Sequence, residues 1–256
     1  MLVDLHTHTR ASDGTLAPRD LVAAARAAGV GVLGVTDHDG MGGCPEAVAA
    51  GEELGVEVVP GIELSVRFAA GSFHLLGWFT SATPPGLFER MAALGENRER
   101  RNRQIIANLC DLGVPIAWED AAKYTGDRMA RPHIARALVD RGWCSEVQEA
   151  FDRYLADDAP AYVPVGAVEP DEAIALVKDA GGVASLAHPG TLRRDPEALD
   201  ALVGRLAAAG LDALEAHRGD HAPEVQAEYA ALAARHGLLI SGGSDYHGPE
   251  LEHRGR

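Results

Sequence analysis

Short apolar runs alternate with helix-length segments over most of this 256-residue chain, and several of the runs empty into a histidine or a carboxylate. The first run sets the pattern. Leu2, Val3 and Leu5 have the character of a short buried strand, and His6 and His8 come out at its end. Side chains alternate along an extended segment, so residues two apart share a face. Two imidazoles on one face of a strand tip are spaced to hold one metal ion, although an isolated His-x-His is equally a pair of surface histidines.

The alternation continues down the chain. Residues 18–28 read as a helix, with Pro18 in the first turn and Gly29 as the C-terminal stop. Residues 30–35 form an apolar strand that runs into Thr36-Asp37-His38-Asp39-Gly40, and a second helix spans 45–54 before Gly55. Residues 57–60 and 62–66 are strand-like with Gly61 between them, and 73–79 is another strand, carrying His74. The rhythm breaks at Thr83-Pro84-Pro85-Gly86, and from there to Pro164 the pattern is helical. It returns with helices at 170–180, 196–209 and 222–236 and strands at 183–187, 213–216 and 238–241.

Short apolar strands alternating with helices predict an α/β fold with a parallel sheet and right-handed crossovers. About seven such units favour a closed or nearly closed barrel, whose active groups sit at the C-terminal strand ends. The domain reading is a barrel of residues 1–83 and 165–256, with a helical insertion, 84–164, covering its mouth.

Composition excludes several classes. Hydrophobic residues make up 46% and charged residues 24%, as in an ordinary globular protein. The three cysteines Cys44, Cys110 and Cys144 form no Cys-x-x-Cys, which fits a reducing compartment with the thiols as core or bystander residues. No signal peptide is expected, and no apolar run approaches the ~20 residues that span a bilayer. A cytoplasmic protein with no membrane partner is the expectation. The net charge of −15 disfavours binding of long nucleic acid, where phosphate contacts dominate affinity. A small phosphorylated substrate remains compatible, because bound divalent ions invert the local field.

The candidate functional residues fall almost entirely at predicted strand ends: His6, His8, His38, Glu63, His188, Asp245 and His247. Asp13 lies in the loop after the first strand, and His74 in or at the start of its own. Taken singly, His74 is a candidate core histidine, Asp245 a turn-capping aspartate and Asp37 a helix N-cap. Taken together, buried imidazoles and acids on one barrel face would repel and desolvate without compensation. Imidazole plus carboxylate with no cysteine suits Zn, Mn or Fe. Nine ligands are too many for one tetrahedral ion, so two or three ions are expected, with Glu63 as the bridging carboxylate.

These stretches carry a family resemblance. Asp4-Leu5-His6-Thr7-His8, Ser12-Asp13-Gly14, Thr36-Asp37-His38-Asp39, Pro60-Gly61-Ile62-Glu63, His74-Leu75-Leu76-Gly77, Ala187-His188-Pro189 and Gly243-Ser244-Asp245-Tyr246-His247 closely resemble the PHP (polymerase and histidinol phosphatase) metal-dependent phosphoesterases. The resemblance implies a distorted (β/α)7 barrel with a trinuclear site. It implies one ion held by His6, His8, Glu63 and Asp245, a second by Glu63, His74 and His188, and a third by Asp13, His38 and His247. Manganese leads, with Zn, Fe or Mg as alternatives. Histidinol-phosphatase-like members often carry histidine where this chain has Asp13. Aspartate there, with Arg131-Pro132-His133-Ile134-Ala135, resembles the branch acting on nucleotides, which includes 3′,5′-nucleoside bisphosphate phosphatases and 5′→3′ exoribonucleases.

The expected activity is hydrolysis of a nucleotide phosphomonoester, the 3′-phosphate of a nucleoside 3′,5′-bisphosphate first, with trimming of short RNA as an allied activity. Paired metal ions generate hydroxide at neutral pH for in-line attack on phosphorus. His221 is the candidate acid for the leaving group, and Asp37 and Glu215 are candidates for orienting the ligands. Arg98, Arg101, Arg131 and His133 are expected to contact substrate, because guanidinium matches phosphate bidentately. The competing reading of Arg98, Arg100, Arg101 and Arg103 is a solvated helix face paired with Glu96 and Glu99. Trp118 and Tyr162 are expected in the core and His217 as a bystander. A histidinol-phosphatase-like enzyme is the first alternative. An inactive metal-binding module, as in DNA polymerases, is the second, and the complete ligand set weighs against it.

Overall fold

The structure, a computed structural model, describes residues 1–68, 71–125, 129–156, 159–163 and 168–249, and among these the side chains of 68, 71, 88 and 90–98 are not described. Seven strands follow one another around a sheet in sequence order: β1 (Leu2–Asp4), β2 (Val30–Val35), β3 (Glu57–Phe68), β4 (Gly71–Trp78), β5 (Val183–Leu186), β6 (Ala213–His217) and β7 (Leu239–Gly242). The two ends meet. Leu5 N–H donates to the Gly242 carbonyl at 3.1 Å, and Thr7 bridges Tyr246. The result is a seven-stranded barrel, closed as the strand–helix rhythm predicts and distorted as the family resemblance implies.

Two local readings are corrected. The sheet is not wholly parallel, because β4 runs antiparallel to both β3 and β5. Two residues separate β3 from β4, far too few for the crossover that a parallel pair needs. The reversal has a consequence for His74. Near the start of an antiparallel strand, it reaches the rim where the other strands end. Gly61 does not divide β3 either; it pairs in register with Trp78. A Cβ there would meet Thr36 Cγ2 at 2.7 Å and the Gly77 carbonyl at 2.8 Å, so glycine answers a close approach rather than a turn.

The outer helices follow from apolar spacing. In α1 (Pro18–Ala27) the buried residues are Pro18, Leu21, Val22 and Ala25, the i, i+3, i+4, i+7 stripe of a helix packed on a sheet. α2 (Cys44–Leu54) ends at Gly55 in the left-handed conformation, φ 72°. Leu33, Val35, Ile62, Leu64, Leu75 and Leu186 belong to the main core. After β4 come α3 (Leu87–Asp111), α4 (Trp118–Ala122), α5 (Arg131–Asp140) and α6 (Val147–Ala150), the last continuing as a wider π-turn over Phe151–Leu155. They enclose a second core of Ile105, Leu109, Ile134, Leu138 and Leu155. The chain then returns to the barrel through α7 (Pro170–Asp179), α8 (Pro196–Ala208) and α9 (Pro223–Arg235).

The thiols are distinguishable by burial. Cys44 is wedged behind the Val35 and Gly61 carbonyls, and burial pushes its thiol up to about 12. Cys144 is buried and Cys110 exposed. Iodoacetamide is therefore expected to modify Cys110 in the native protein and the other two only in denaturant, as read by peptide mass spectrometry. Native labelling of Cys44 at the Cys110 rate would contradict this packing.

Candidate metal centre

Alternation along the first strand is realised as the sequence predicts. His6 and His8 are fully buried on one face. Thr7 points the other way and donates from Oγ1 to the Gly34 carbonyl. Glu63, from β3, is also fully buried and is met by five imidazoles. Its Oε1 lies 2.9 Å from His74 Nδ1, 3.0 Å from His188 Nε2 and 3.4 Å from His6 Nε2. Its Oε2 lies 3.0 Å from His38 Nδ1 and 3.2 Å from His8 Nε2. Asp245 Oδ1 lies 3.3 Å from both His6 Nε2 and His8 Nε2. On the far side, Asp13 faces His247 Nε2 at 3.3 Å and His38 Nε2 at 3.6 Å.

Three sets bring ligand atoms within 4.8 Å of one another: His6, His8, Glu63 and Asp245; His38, Glu63 and His74; His8, Asp13, His38 and His247. The first is the set the resemblance implies. The other two differ, because His38 and His8 each turn one ring nitrogen toward Glu63 and the other toward Asp13. His188 sits beside Glu63 and His74 rather than within a set, its Nε2 3.2 Å from His74 Nδ1.

The loops behind these residues are tied down. Asp37 accepts from Thr9 N–H at 2.8 Å, from Thr9 Oγ1 at 2.7 Å and from Ser12 Oγ at 2.6 Å, which shapes the loop presenting Asp13. Glu215 takes His6 Nδ1 at 3.0 Å and the His188 N–H at 2.6 Å. It thereby fixes which His6 nitrogen faces inward. Asp4 receives the Ser244 N–H and hydroxyl, holding the last loop against β1. At Gly243 a Cβ would lie 2.3 Å from His6 Cβ, so no side chain fits. His188 and Asp245 are held at positive φ, 25° and 57°. Such backbone strain collects at functional sites.

Without cations, the buried acids are balanced only by the imidazoles around them. Burial alone would raise the carboxyls of Glu63, Asp13 and Asp245, yet the surrounding imidazoles hold all three well below the usual range. Burial would lower His8, yet Asp245 and Glu63 lift it to about 10. His38 goes down, burial outweighing its acids. His6 Nε2, both His8 nitrogens, His38 Nδ1 and Glu63 Oε2 are buried without a hydrogen-bond partner. Their nearest polar neighbours are one another, as in His38 Nδ1 against Glu63 Oε2 and His8 Nε2 against Glu63 Oε2. A nitrogen and oxygen donor set with unfilled inward atoms fits divalent cations.

Beside the centre, a cavity of about 170 Å³ is lined by Asp13, His38 and His74 together with Arg101, Arg131, Phe151 and Tyr162.

Comparison with known proteins settles the family. A PHP-domain model matches residues 4–84. The chain is 33% identical over 249 residues to the 3′,5′-nucleoside bisphosphate phosphatase of Chromobacterium violaceum, covering 96% of this chain and 87% of that one. It is 35% identical over 256 residues to the 5′-3′ exoribonuclease Rnm of Escherichia coli, covering 97% and 86%. A metal-dependent phosphoesterase structure from Bifidobacterium adolescentis superposes with a TM-score of 0.85 at 36% identity, covering 96% of this chain and 87% of the other. The chain is a PHP-family metal-dependent phosphoesterase.

Other predicted residues of this phosphoesterase are placed unevenly. Arg101 is buried and donates from Nε to the Val163 carbonyl, so the solvated-face reading fails for it. That reading does hold for Arg103, which pairs with Glu99 and lies 4.2 Å over the Trp118 ring. The Arg98 side chain lies outside the described residues. Arg131 donates from Nη1 to the Leu155 carbonyl while lining the cavity. His133 is buried, with Nδ1 accepting from the Ala130 N–H at the start of α5. His221 is not brought to the cavity; its ring packs against Tyr229, with Nε2 4.0 Å from Asp220. His217 is exposed and bonded to Gln226. Tyr162, expected in the core, lines the cavity instead, with the Arg131 guanidinium 5.5 Å from its ring. Ser65 and Ser72 line it too, and no sequence signal marks them.

Proposed function

We propose that this phosphoesterase hydrolyses the 3′-phosphate of nucleoside 3′,5′-bisphosphates, leaving the 5′-monophosphate, and also trims short 5′-phosphorylated RNA. One observation carries the reading: a single cavity is lined both by Asp13, His38 and His74 of the acid–imidazole centre and by two arginines, Arg101 and Arg131. A substrate with one phosphate at each end is what such a cavity orients. Relatives named for nucleoside bisphosphates and for RNA support the same class.

In this reading the ligands are the nine residues His6, His8, Asp13, His38, Glu63, His74, His188, Asp245 and His247, holding two or three divalent ions, Mn²⁺ first. Ions bound there supply a nucleophile at neutral pH and offset the charge developing on the phosphoryl oxygens. Glu215 and Asp37 keep His6, His188 and the Asp13 loop in place. Arg101 and Arg131 grip the phosphate that is not cleaved, and Tyr162 borders the same space. His133 fixes the first turn of the helix that carries Arg131. The insertion 84–164 is thereby the specificity element. A net charge of −15 favours small substrates over long nucleic acid. No described helix is long and apolar enough to cross a membrane; we place the protein in the cytoplasm.

The test is phosphate release by Mn²⁺-reconstituted protein from adenosine 3′,5′-bisphosphate, a short 5′-phosphorylated RNA and histidinol phosphate. Fast release from the bisphosphate supports the reading, and turnover of histidinol phosphate alone overturns it. Arg131→Ala is expected to raise KM for the bisphosphate by roughly 10–100-fold, the loss of one charged hydrogen-bonded contact. It should leave hydrolysis of p-nitrophenyl phosphate, which lacks the second phosphate, nearly unchanged. Equal losses on both substrates would remove Arg131 from substrate recognition.

A further inference from the structure

Arg218 lies just beyond β6, and its place depends on an irregularity in that strand. The β6–β7 register shifts between Glu215 and His217. Such a shift bends a strand and re-aims the side chains beyond it. Glu215 is buried, His217 is turned to the surface, and the Arg218 side chain is only 10% exposed. Gln226 of α9 fixes the turn from both sides. Its Nε2 donates to the Arg218 and His221 carbonyls, both at 2.9 Å, and its Oε1 meets His217 Nδ1.

The guanidinium is clamped as firmly as its backbone. Nε and Nη2 donate to the two oxygens of Asp220 at 3.0 and 3.2 Å, a fork-on-fork pair. That leaves Nη1 aimed inward, 3.2 Å from Asp245 Oδ2 and 3.9 Å from Glu215 Oε2. The two oxygens of Asp245 are therefore divided: Oδ1 faces His6 and His8, and Oδ2 is taken by Arg218. A lysine could not hold Asp220 with two bonds and reach Asp245 with a third.

We propose that Arg218 is a positioning residue that holds Asp245 as a one-oxygen ligand of the ion framed by His6, His8 and Glu63. The inference rests on the metal-centre reading but not on the substrate. It makes Asp220 and Gln226, both away from the centre, parts of the same support.

Mn²⁺ titrated calorimetrically into the chelator-stripped chain tests it. Arg218→Ala is expected to weaken one class of Mn²⁺ site by roughly 10–100-fold, the scale for residues that orient ligands, and to leave the others unchanged. Millimolar guanidinium should restore the weakened class. With adenosine 3′,5′-bisphosphate, kcat should recover at saturating Mn²⁺ while KM stays near the wild-type value. Asp220→Asn, which keeps the cation and loosens its clamp, should weaken the same class by a few-fold. It serves as the test if Arg218→Ala does not fold. Wild-type Mn²⁺ affinity in the variants overturns the proposal. So does an equal loss at every site without guanidinium recovery. A wild-type chain that binds no Mn²⁺ overturns this proposal and the metal-centre reading together, whereas Mn²⁺ binding without bisphosphate turnover overturns the substrate alone.

Discussion

Glu63→Gln is expected to lower phosphoesterase activity by roughly 10²–10³-fold or more, the scale set by removing one preorganised electrostatic group. Bound metal should fall with it. The side chain is fully buried, and both its oxygens face imidazole nitrogens between 2.9 and 3.4 Å away. Glutamine has the same shape, so packing is kept and the far-ultraviolet circular dichroism should not change. The chemistry is lost on two counts. An amide NH2 put against His38 and His8, or against His74 and His188, presents a donor where cations need a lone pair. The formal negative charge that balances the cations from the middle of the cluster also disappears. Glu63 belongs to two of the three ligand sets, so its loss should affect more than one ion. Atomic spectroscopy on Mn²⁺-loaded, desalted protein gives the stoichiometry beside the rate. Full occupancy with a wild-type rate in Glu63→Gln would show that Glu63 bridges nothing.

Barrel and centre were legible in the sequence for one shared reason. A strand that ends at a barrel mouth writes its function at its last residues, so His6, His8, His38, His188, Asp245 and His247 follow the ends of apolar runs. Glu63, also expected at a strand end, lies instead in the middle of β3, which runs on to Phe68 in its pairing with β4. Periodicity also located α1 and α2 to within a residue or two. What escaped it was direction and turn geometry. The reversal of β4 depends on the shortness of its connection to β3, and an isolated glycine such as Gly61 reads as a break when it answers a close approach. Arg218 and Tyr162 were not legible because both reach the site from irregular segments, whose side-chain directions follow no period. His221, the candidate acid, is packed by the fold against Tyr229. Spacing places His38 and His8 near the acids but says nothing about which ring nitrogen faces which carboxylate, and in the structure each turns one nitrogen to Glu63 and the other to Asp13.

Chelation is expected to destabilise the protein, and by an amount that grows with pH. An ion present at about 100 times its dissociation constant stabilises the folded state by roughly 2.7 kcal/mol, so two ions give about 5 kcal/mol. For a chain of this size each kcal/mol moves Tm by about 2–4 °C, which puts the drop on stripping near 10–20 °C. The pH dependence arises from the site's own groups. In the stripped protein the acids are balanced by protonated imidazoles. His8, raised from 6.5 to about 10, contributes stability that is fully present below pH 6.5 and lost as pH rises through 10. His6 and His74, also raised, act in the same direction. The depressed carboxyls of Glu63, Asp13 and Asp245 contribute stability present above their ordinary values of 4.5, 3.8 and 3.8 and lost as pH falls. The stripped protein is therefore most stable between those limits. Bound cations replace the imidazole protons, so the loaded protein keeps its stability to higher pH, and loading near neutrality expels protons. Scanning calorimetry of stripped and Mn²⁺-loaded protein from pH 6 to 9 should show the Tm gap widening. A gap that narrows over that range, or heats of Mn²⁺ binding that do not vary with the buffer's ionisation enthalpy, would mean that cations do not take the protons' place among Glu63, Asp245 and Asp13.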